Sequence, residues 1–207
     1  MNFYKGYTQT RNKKALKPFK EGKNLVVLDW ARKFDEYAGV LKEGVVLIDV
    51  DDEESSDLLL RILDALGIKA YVIKTSRGKH FLFDDPEFEL TSNKTHCATA
   101  IGIIVDIKLG SRNSYEVLKF NGVKRPVLRK TEVLPPLPKW LRPVKYNVDF
   151  TTLGEGDGRN QALFNHILTL QAAMFAKAEI KDTLQIINQY ILKVPLEQRE
   201  LDVILRD

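Results

Sequence analysis

The stretch Val45-Val46-Leu47-Ile48-Asp49-Val50-Asp51 decides how this chain is read. Its β-branched and aliphatic residues predict a strand, and two carboxylates interrupt the apolar run near its end. Successive strand side chains point to opposite faces. Asp49 and Asp51 therefore share one face, about 7 Å apart at their Cα atoms, with Ile48 and Val50 on the other. Carboxylates so placed suit hard divalent cations, which take oxygen ligands. A plainer role fits equally well: acids from Asp51 to Glu54 stand where a helix begins, and the helix dipole favours negative charge there.

Working outward, residues 53–66 show helical spacing through Leu59, Ile62, Leu63 and Leu66, and Gly67 is placed to cap the helix. Residues 70–75 predict a second strand. Strand, helix and strand with short joints predict a unit whose two strands lie in one sheet. Residues 79–83 follow the Arg77-Gly78 turn and are expected to pair antiparallel with the strand before them. On the N-terminal side, residues 24–41 read as a short apolar lead and then a helix through Trp30, Phe34, Tyr37 and Leu41, ended by Gly44. Residues 101–109 form the longest apolar strand candidate. Residues 115–120 and 123–128, joined by Asn121-Gly122, predict a hairpin with a type I′ turn. The proline-rich stretch from Leu134 to Pro143 reads as a semi-rigid surface connector, and from Asn160 onward the periodicity is helical, first through Leu163, Ile167, Leu170 and Met174. The expectation is an α+β chain with a catalytic-type domain over 1–145 and a small all-α helical bundle over 146–207.

Composition narrows the classes. The chain has 207 residues, 44% hydrophobic and 29% charged, the mix of a soluble globular protein rather than a disordered or fibrous one. No run approaches the roughly eighteen apolar residues of a membrane span, and residues 1–23 lack the apolar stretch of a signal peptide. The expected compartment is the cytoplasm, with no membrane partner. One cysteine, Cys97, supplies neither a disulfide framework nor a zinc knuckle, so no zinc is expected. The net charge of +4 is unevenly spread. Residues 1–23 hold seven Lys or Arg against one acid, and residues 107–130 hold seven against Glu116 alone, whereas acids crowd between Asp49 and Asp64. Separate basic and acidic blocks suggest a polyanion partner beside a seat for divalent cations.

Two further constellations carry chemistry. In Ile103-Ile104-Val105-Asp106-Ile107-Lys108 a carboxylate stands within an apolar strand, where burial requires a partner, a metal or an open cleft. In Thr75-Ser76-Arg77-Gly78-Lys79-His80 a basic, glycine-containing turn leads a histidine into a strand. Gly78 permits close backbone approach, and Arg77, Lys79 and His80 offer donors for an anion.

Taken in order, Ile48-Asp49-Val50-Asp51, Gly78-Lys79-His80 and Val105-Asp106, at separations of about thirty residues, resemble the three motifs of the archaeo-eukaryotic primase superfamily. The match is to its primase-polymerase (prim-pol) branch, found in phages, plasmids and other mobile elements. Lys17-Pro18 is similar to the family's opening segment. Gly158-Arg159-Asn160-Gln161-Ala162-Leu163-Phe164 is similar to the start of the helical primase C-terminal domain that often follows the core. The resemblance implies an RRM-like palm that synthesises a short primer on single-stranded DNA from NTP or dNTP. By position, Asp49, Asp51 and Asp106 would ligate two Mg²⁺ or Mn²⁺ ions. His80 would contact the triphosphate, with Ser76, Arg77, Lys79, Lys108 and Arg112 as further nucleotide contacts. Arg159 and Asn160, with Lys13 and Lys14, would meet the template or initiating nucleotide, although Asn160 also reads as a plain helix N-cap. Tyr4, Tyr7, Phe19 and Trp30 interleave with the basic segment and suit either base stacking or a core.

This chain departs from the family pattern in having Gly78 where many relatives carry serine, and Gly110-Ser111-Arg112-Asn113-Ser114-Tyr115 where a Gly-Gly-Tyr-like turn is common. The stop at Asp207 in a helix-like stretch suggests the N-terminal part of a longer primase-helicase, with a helicase domain or subunit as partner. Two rival classes remain open: a catalytically inert RRM-like module that holds single-stranded nucleic acid, and a metal-dependent nuclease.

Overall fold

The computed structural model describes residues 3–87, 89–145 and 148–205. The expected domain boundary at 145/146 and the chain's end at Asp207 touch residues outside that set. Elements run β1 (Tyr4–Arg11), β2 (Lys14–Ala15), α1 (Leu28–Ala31), β3 (Tyr37–Leu41), β4 (Val45–Val50), α2 (Glu53–Ala65), β5 (Tyr71–Lys74), β6 (Lys79–Asp84), β7 (Lys94–Ala98) and β8 (Ile104–Leu109). They continue as β9 (Tyr115–Phe120), β10 (Val123–Lys124), β11 (Val127–Arg129), α3 (Arg159–Ala172), α4 (Lys177–Ile186) and α5 (Gln198–Ile204). The strands form two sheets, β10-β9-β3-β1-β2 and β11-β5-β6-β4-β8-β7. The fold is mixed α+β.

Two compact units divide the chain: Met1–Thr95 with Asp106–Leu137, and His96–Val105 with Pro138–Asp207. The expected split into 1–145 and 146–207 differs, because residues 96–105 join the second unit, which is therefore not purely helical. In the first unit, β4 and β5 both pair antiparallel with β6, which lies between them, so the strand-helix-strand unit runs parallel around an inserted hairpin strand. Asp52 caps α2, its side chain accepting from the Ser55 amide at 2.7 Å, and Leu59, Ile62 and Leu63 are buried on its inner face. All six residues of β4 are buried, and Val45 and Leu47 pack with Phe3, Leu41 and Leu82. Asn121 and Gly122 take positive φ as a type I′ turn demands, and β9 pairs with β10 across them.

Several expectations are corrected. The helix expected over 24–41 is a single turn, α1, followed by β3, a strand paired on both sides and buried at all five positions. Burial on both faces erases period-two alternation, so this apolar run imitates helical spacing. The second arm of the hairpin divides at Arg125-Pro126: Val123–Lys124 stays with β9, whereas Val127–Arg129 pairs with β5 in the other sheet. The strand expected from residue 101 begins at Ile104. The proline-rich connector is anchored rather than draped, with Leu134, Leu137, Trp140 and Leu141 buried and a 3₁₀ turn at Lys139–Leu141.

In the second unit the buried face of α3 is Leu163, His166 and Leu170, while Met174 is 85% exposed. Met174 has φ +62°, and the Phe175 and Met174 amides bond to the Leu170 and Gln171 carbonyls, a Schellman stop that ejects the methionine from the stripe. His166 Nε2 donates to the Ala100 carbonyl at 2.6 Å, with the Phe150 ring 5.1 Å away. Burial holds this imidazole below its ordinary value, the bond to Ala100 opposing only in part. A histidine buried neutral stabilises the fold above its unfolded value near 6.5, and that contribution falls as pH drops and the unfolded chain binds the proton first. Thermal unfolding between about pH 7.5 and about pH 5.5 should thus show a loss of stability on acidification that is smaller in His166→Gln.

Candidate functional site

The apolar row on one face of β4 ends at Asp49, and the neighbouring strands place their polar residues at the same level. Asp49 is paired in register with His80 of β6 and with Asp106 of β8. Directly opposed residues share a face, so the histidine and both aspartates look the same way. They line a cavity of about 500 Å³, together with Asp51, Ser76, Arg77, Lys108, Arg112 and Lys13. Three separate sequence motifs thus meet in one place.

Asp49 is 7% exposed. Its Oδ2 accepts from Lys108 Nζ at 2.6 Å. Its Oδ1 lies 3.1 Å from His80 Nε2, an ion-pair contact whose alignment falls short of a hydrogen bond. Burial alone would raise the Asp49 carboxyl, and the contacts with His80 and Lys108 override it, leaving the group well below the usual carboxylate range. His80 is itself 5% exposed, and its Nδ1 lies 2.9 Å from Glu116 Oε1. Burial would lower the imidazole, and the two carboxylates, one on each ring nitrogen, raise it instead. Glu116 also accepts from the Tyr4 hydroxyl, whose value burial and then Glu116 raise strongly. A chain Tyr4, Glu116, His80, Asp49, Lys108 therefore crosses from the five-stranded sheet to the six-stranded one. Farther out, Arg77 pairs with Asp51, both substantially exposed.

Glu116 and Arg125 are the residues that sequence reasoning missed. Glu116, 1% exposed on β9, stood out only as the single acid of a basic block. Arg125 lines the cavity with its Nη1 3.5 Å from His80 Nδ1, and among the described residues no carboxylate stands within ion-pair distance of it. Burial lowers its value, against opposing pulls from Glu116, Asp49 and Asp51.

Other assigned residues fall elsewhere. Lys79 alternates with His80 and faces α2, where its buried ammonium meets Ser56 Oγ at 3.0 Å and Asp57 Oδ1 at 2.8 Å, so it is a staple between strand and helix and not a cavity donor. Lys14, on β2, is exposed and outside the cavity lining, while Arg112 reaches back to the Thr91 carbonyl from the rim. Arg159 and Asn160 belong to the second unit. Arg159 Nη1 donates to the Val194 and Pro195 carbonyls at 2.9 and 3.2 Å. Gly158, with φ +75°, is the N-cap of α3, so Asn160 lies inside the helix and not at its cap.

Among the described residues, no three His, Cys, Asp or Glu groups are gathered closely enough to hold a metal ion. The donor chemistry nevertheless suits a hard cation: three carboxylates face one cavity, and Asp49 keeps a buried oxygen without an aligned hydrogen bond. Lys108 and Arg77 supply the counter-charge to Asp49 and Asp51.

The turn before His80 needs glycine. A Cβ on Gly78 would stand 2.0 Å from the Val50 carbonyl oxygen and 3.1 Å from the Asp52 amide nitrogen. A serine at this position would not fit without moving β4. No family model, no curated protein and no solved structure matches this chain.

Gly78→Ala should destabilise the first unit by about 1–3 kcal/mol in denaturant titration, as overpacking against rigid backbone does. Glu116→Ala should cost about 3–5 kcal/mol, because it removes the buried carboxylate that His80 and Tyr4 share, whereas Asp51→Ala, at an exposed pair, should stay within about 1 kcal/mol.

Proposed function

We propose that this protein is a template-dependent nucleotidyltransferase of the primase-polymerase kind, with an RRM-like palm, making a short primer on single-stranded DNA from NTP or dNTP. The observation that carries the reading is the register of Asp49 between His80 and Asp106 on three adjacent strands, with Asp51 at the mouth of the same cavity. Three carboxylates without a cation would repel a triphosphate, so their convergence makes sense where positive charge is supplied.

In this reading Asp49, Asp51 and Asp106 hold two Mg²⁺ or Mn²⁺ ions, with Lys108 and Arg77 moving from the carboxylates to the phosphates. Bound divalent ions would activate the attacking 3′-hydroxyl and neutralise charge on the triphosphate and its leaving group. His80, oriented by Glu116, presents a ring N–H to a phosphate oxygen. Arg125 offers a fork that can bind phosphate bidentately, and Arg112 and Lys13 add positive charge at the rim. Glu116 makes no ligand contact and acts through His80.

A second reading is favoured by one observation. Lys108 and Arg77 already neutralise Asp49 and Asp51, so the cavity could serve a non-catalytic module for single-stranded nucleic acid.

A single assay separates the classes: incubation with single-stranded template, labelled NTP and dNTP, and Mn²⁺, comparing the native protein with the Asp49→Ala/Asp51→Ala double variant. Extended product that disappears in the variant is expected. Bound template without product favours the binding module, and a shortened template favours a nuclease.

A further inference from the structure

A second hollow of about 340 Å³ lies against β1, walled by Thr8, Gln9, Lys17, Trp30 and Phe34. Trp30 rides on α1, a single turn whose only buried residue is Ala31, and the indole is left 53% exposed. A large aromatic surface is thus withheld from the core, where it would have contributed most. Lys33 Nζ stands 4.4 Å from the indole ring centroid, a cation over a π face.

Charge selects the occupant. No carboxylate lines this hollow. Of the acids nearest in sequence, Asp29 pairs with Arg32 and Glu21 with Lys23, while Asp35 and Glu36 lie outside its lining. Among the described residues, Lys13, Lys14, Lys17 and Lys33 have no ion-pair partner. A neighbouring hollow that shares Gln9 contains Asp35 and Glu36, and it is unsuited to a polyanion. An apolar peptide would have no use for the lysines, and a simple anion none for the aromatic rings. Single-stranded nucleic acid needs both, because bases stack on aromatic side chains while cations follow the phosphates. The same basic segment reaches the main cavity, which Lys13 and Tyr115 line, and Phe19 meets Tyr115 edge to face at 5.7 Å.

We propose that the Trp30–Phe34 hollow is a docking site for single-stranded nucleic acid, with a base stacked on Trp30 and Lys17 and Lys33 on the flanking phosphates. This rests on the nucleotidyltransferase reading and extends it by naming where template is held outside the reaction cavity.

Fluorescence anisotropy of a labelled oligothymidylate of about twelve nucleotides, without metal or nucleotide, tests it on the full chain. Trp30→Ala should weaken binding about 5- to 100-fold, Trp30→Tyr should restore most of it, and Lys17→Glu/Lys33→Glu should weaken it and flatten its salt dependence. Melting temperature and equilibrium binding of NTP should not change in any of the three. Oligonucleotide binding equal to native in Trp30→Ala overturns the proposal, as does a native protein that binds no oligonucleotide or that uses Trp30 to self-associate instead. Primer synthesis with unaltered oligonucleotide affinity in Trp30→Ala would sink this site alone. Trp30-dependent binding without any synthesis would leave the site standing and sink the enzymatic reading.

Discussion

A carboxylate that ends an apolar strand face must be compensated, and the first unit is organised around that demand at Asp49. Lys108 from one neighbouring strand and His80 from the other bring positive charge to its two oxygens. The histidine is balanced in turn by Glu116, which arrives from the other sheet and is held by Tyr4. Each group is buried or half-buried, so losing one would leave a charge or donor unsatisfied where water cannot help. The position of β9 over β6, the side of β6 on which His80 emerges, and the register of β8 on β4 are all tied to this chain of contacts. The network also leaves an opening: one Asp49 oxygen lacks an aligned bond, and Arg125, beside the Nδ1 of His80, is uncommitted to any described carboxylate.

The same geometry explains how blocks of like charge coexist. Acids at 49–51 and 106 and bases at 77, 108, 112 and 125 are far apart in the sequence and share one cavity. Bases outnumber acids in the cavity lining, so its field favours anions even with the carboxylates ionised. Helix α2 keeps a separate account, since Glu53 and Asp57 pair with Lys74 and the buried Lys79, so part of the acidic block serves packing only.

Much of this was legible beforehand. The β4-α2-β5 unit, the antiparallel return of β6 and the Asn121-Gly122 hairpin follow from period, capping and turn chemistry, which act over a few residues. Alternation also put Asp49 and Asp51 on one face. The failures have a common cause. Residues 37–41 are covered on both sides and lose their alternation, Leu134 and Trp140 are buried by contacts distant in sequence, and Met174 is expelled by a local helix stop. The basic turn at Gly78 suggests Lys79 as an anion donor, yet adjacency to His80 on a strand puts it on the opposite face.

The amino-acid order by itself determined the chemical inventory: which residues are acidic, which alternate onto one face, where turns and helix caps fall. These depend on neighbours within a turn or a strand. Only the tertiary structure decided that Asp49 lies between His80 and Asp106, that Glu116 reaches the imidazole across two sheets, that Arg125 enters the cavity and that Trp30 stays outside the core. Strand register and sheet-on-sheet placement are set by the sum of many distant contacts, and no local pattern encodes which carboxylate will face which nitrogen.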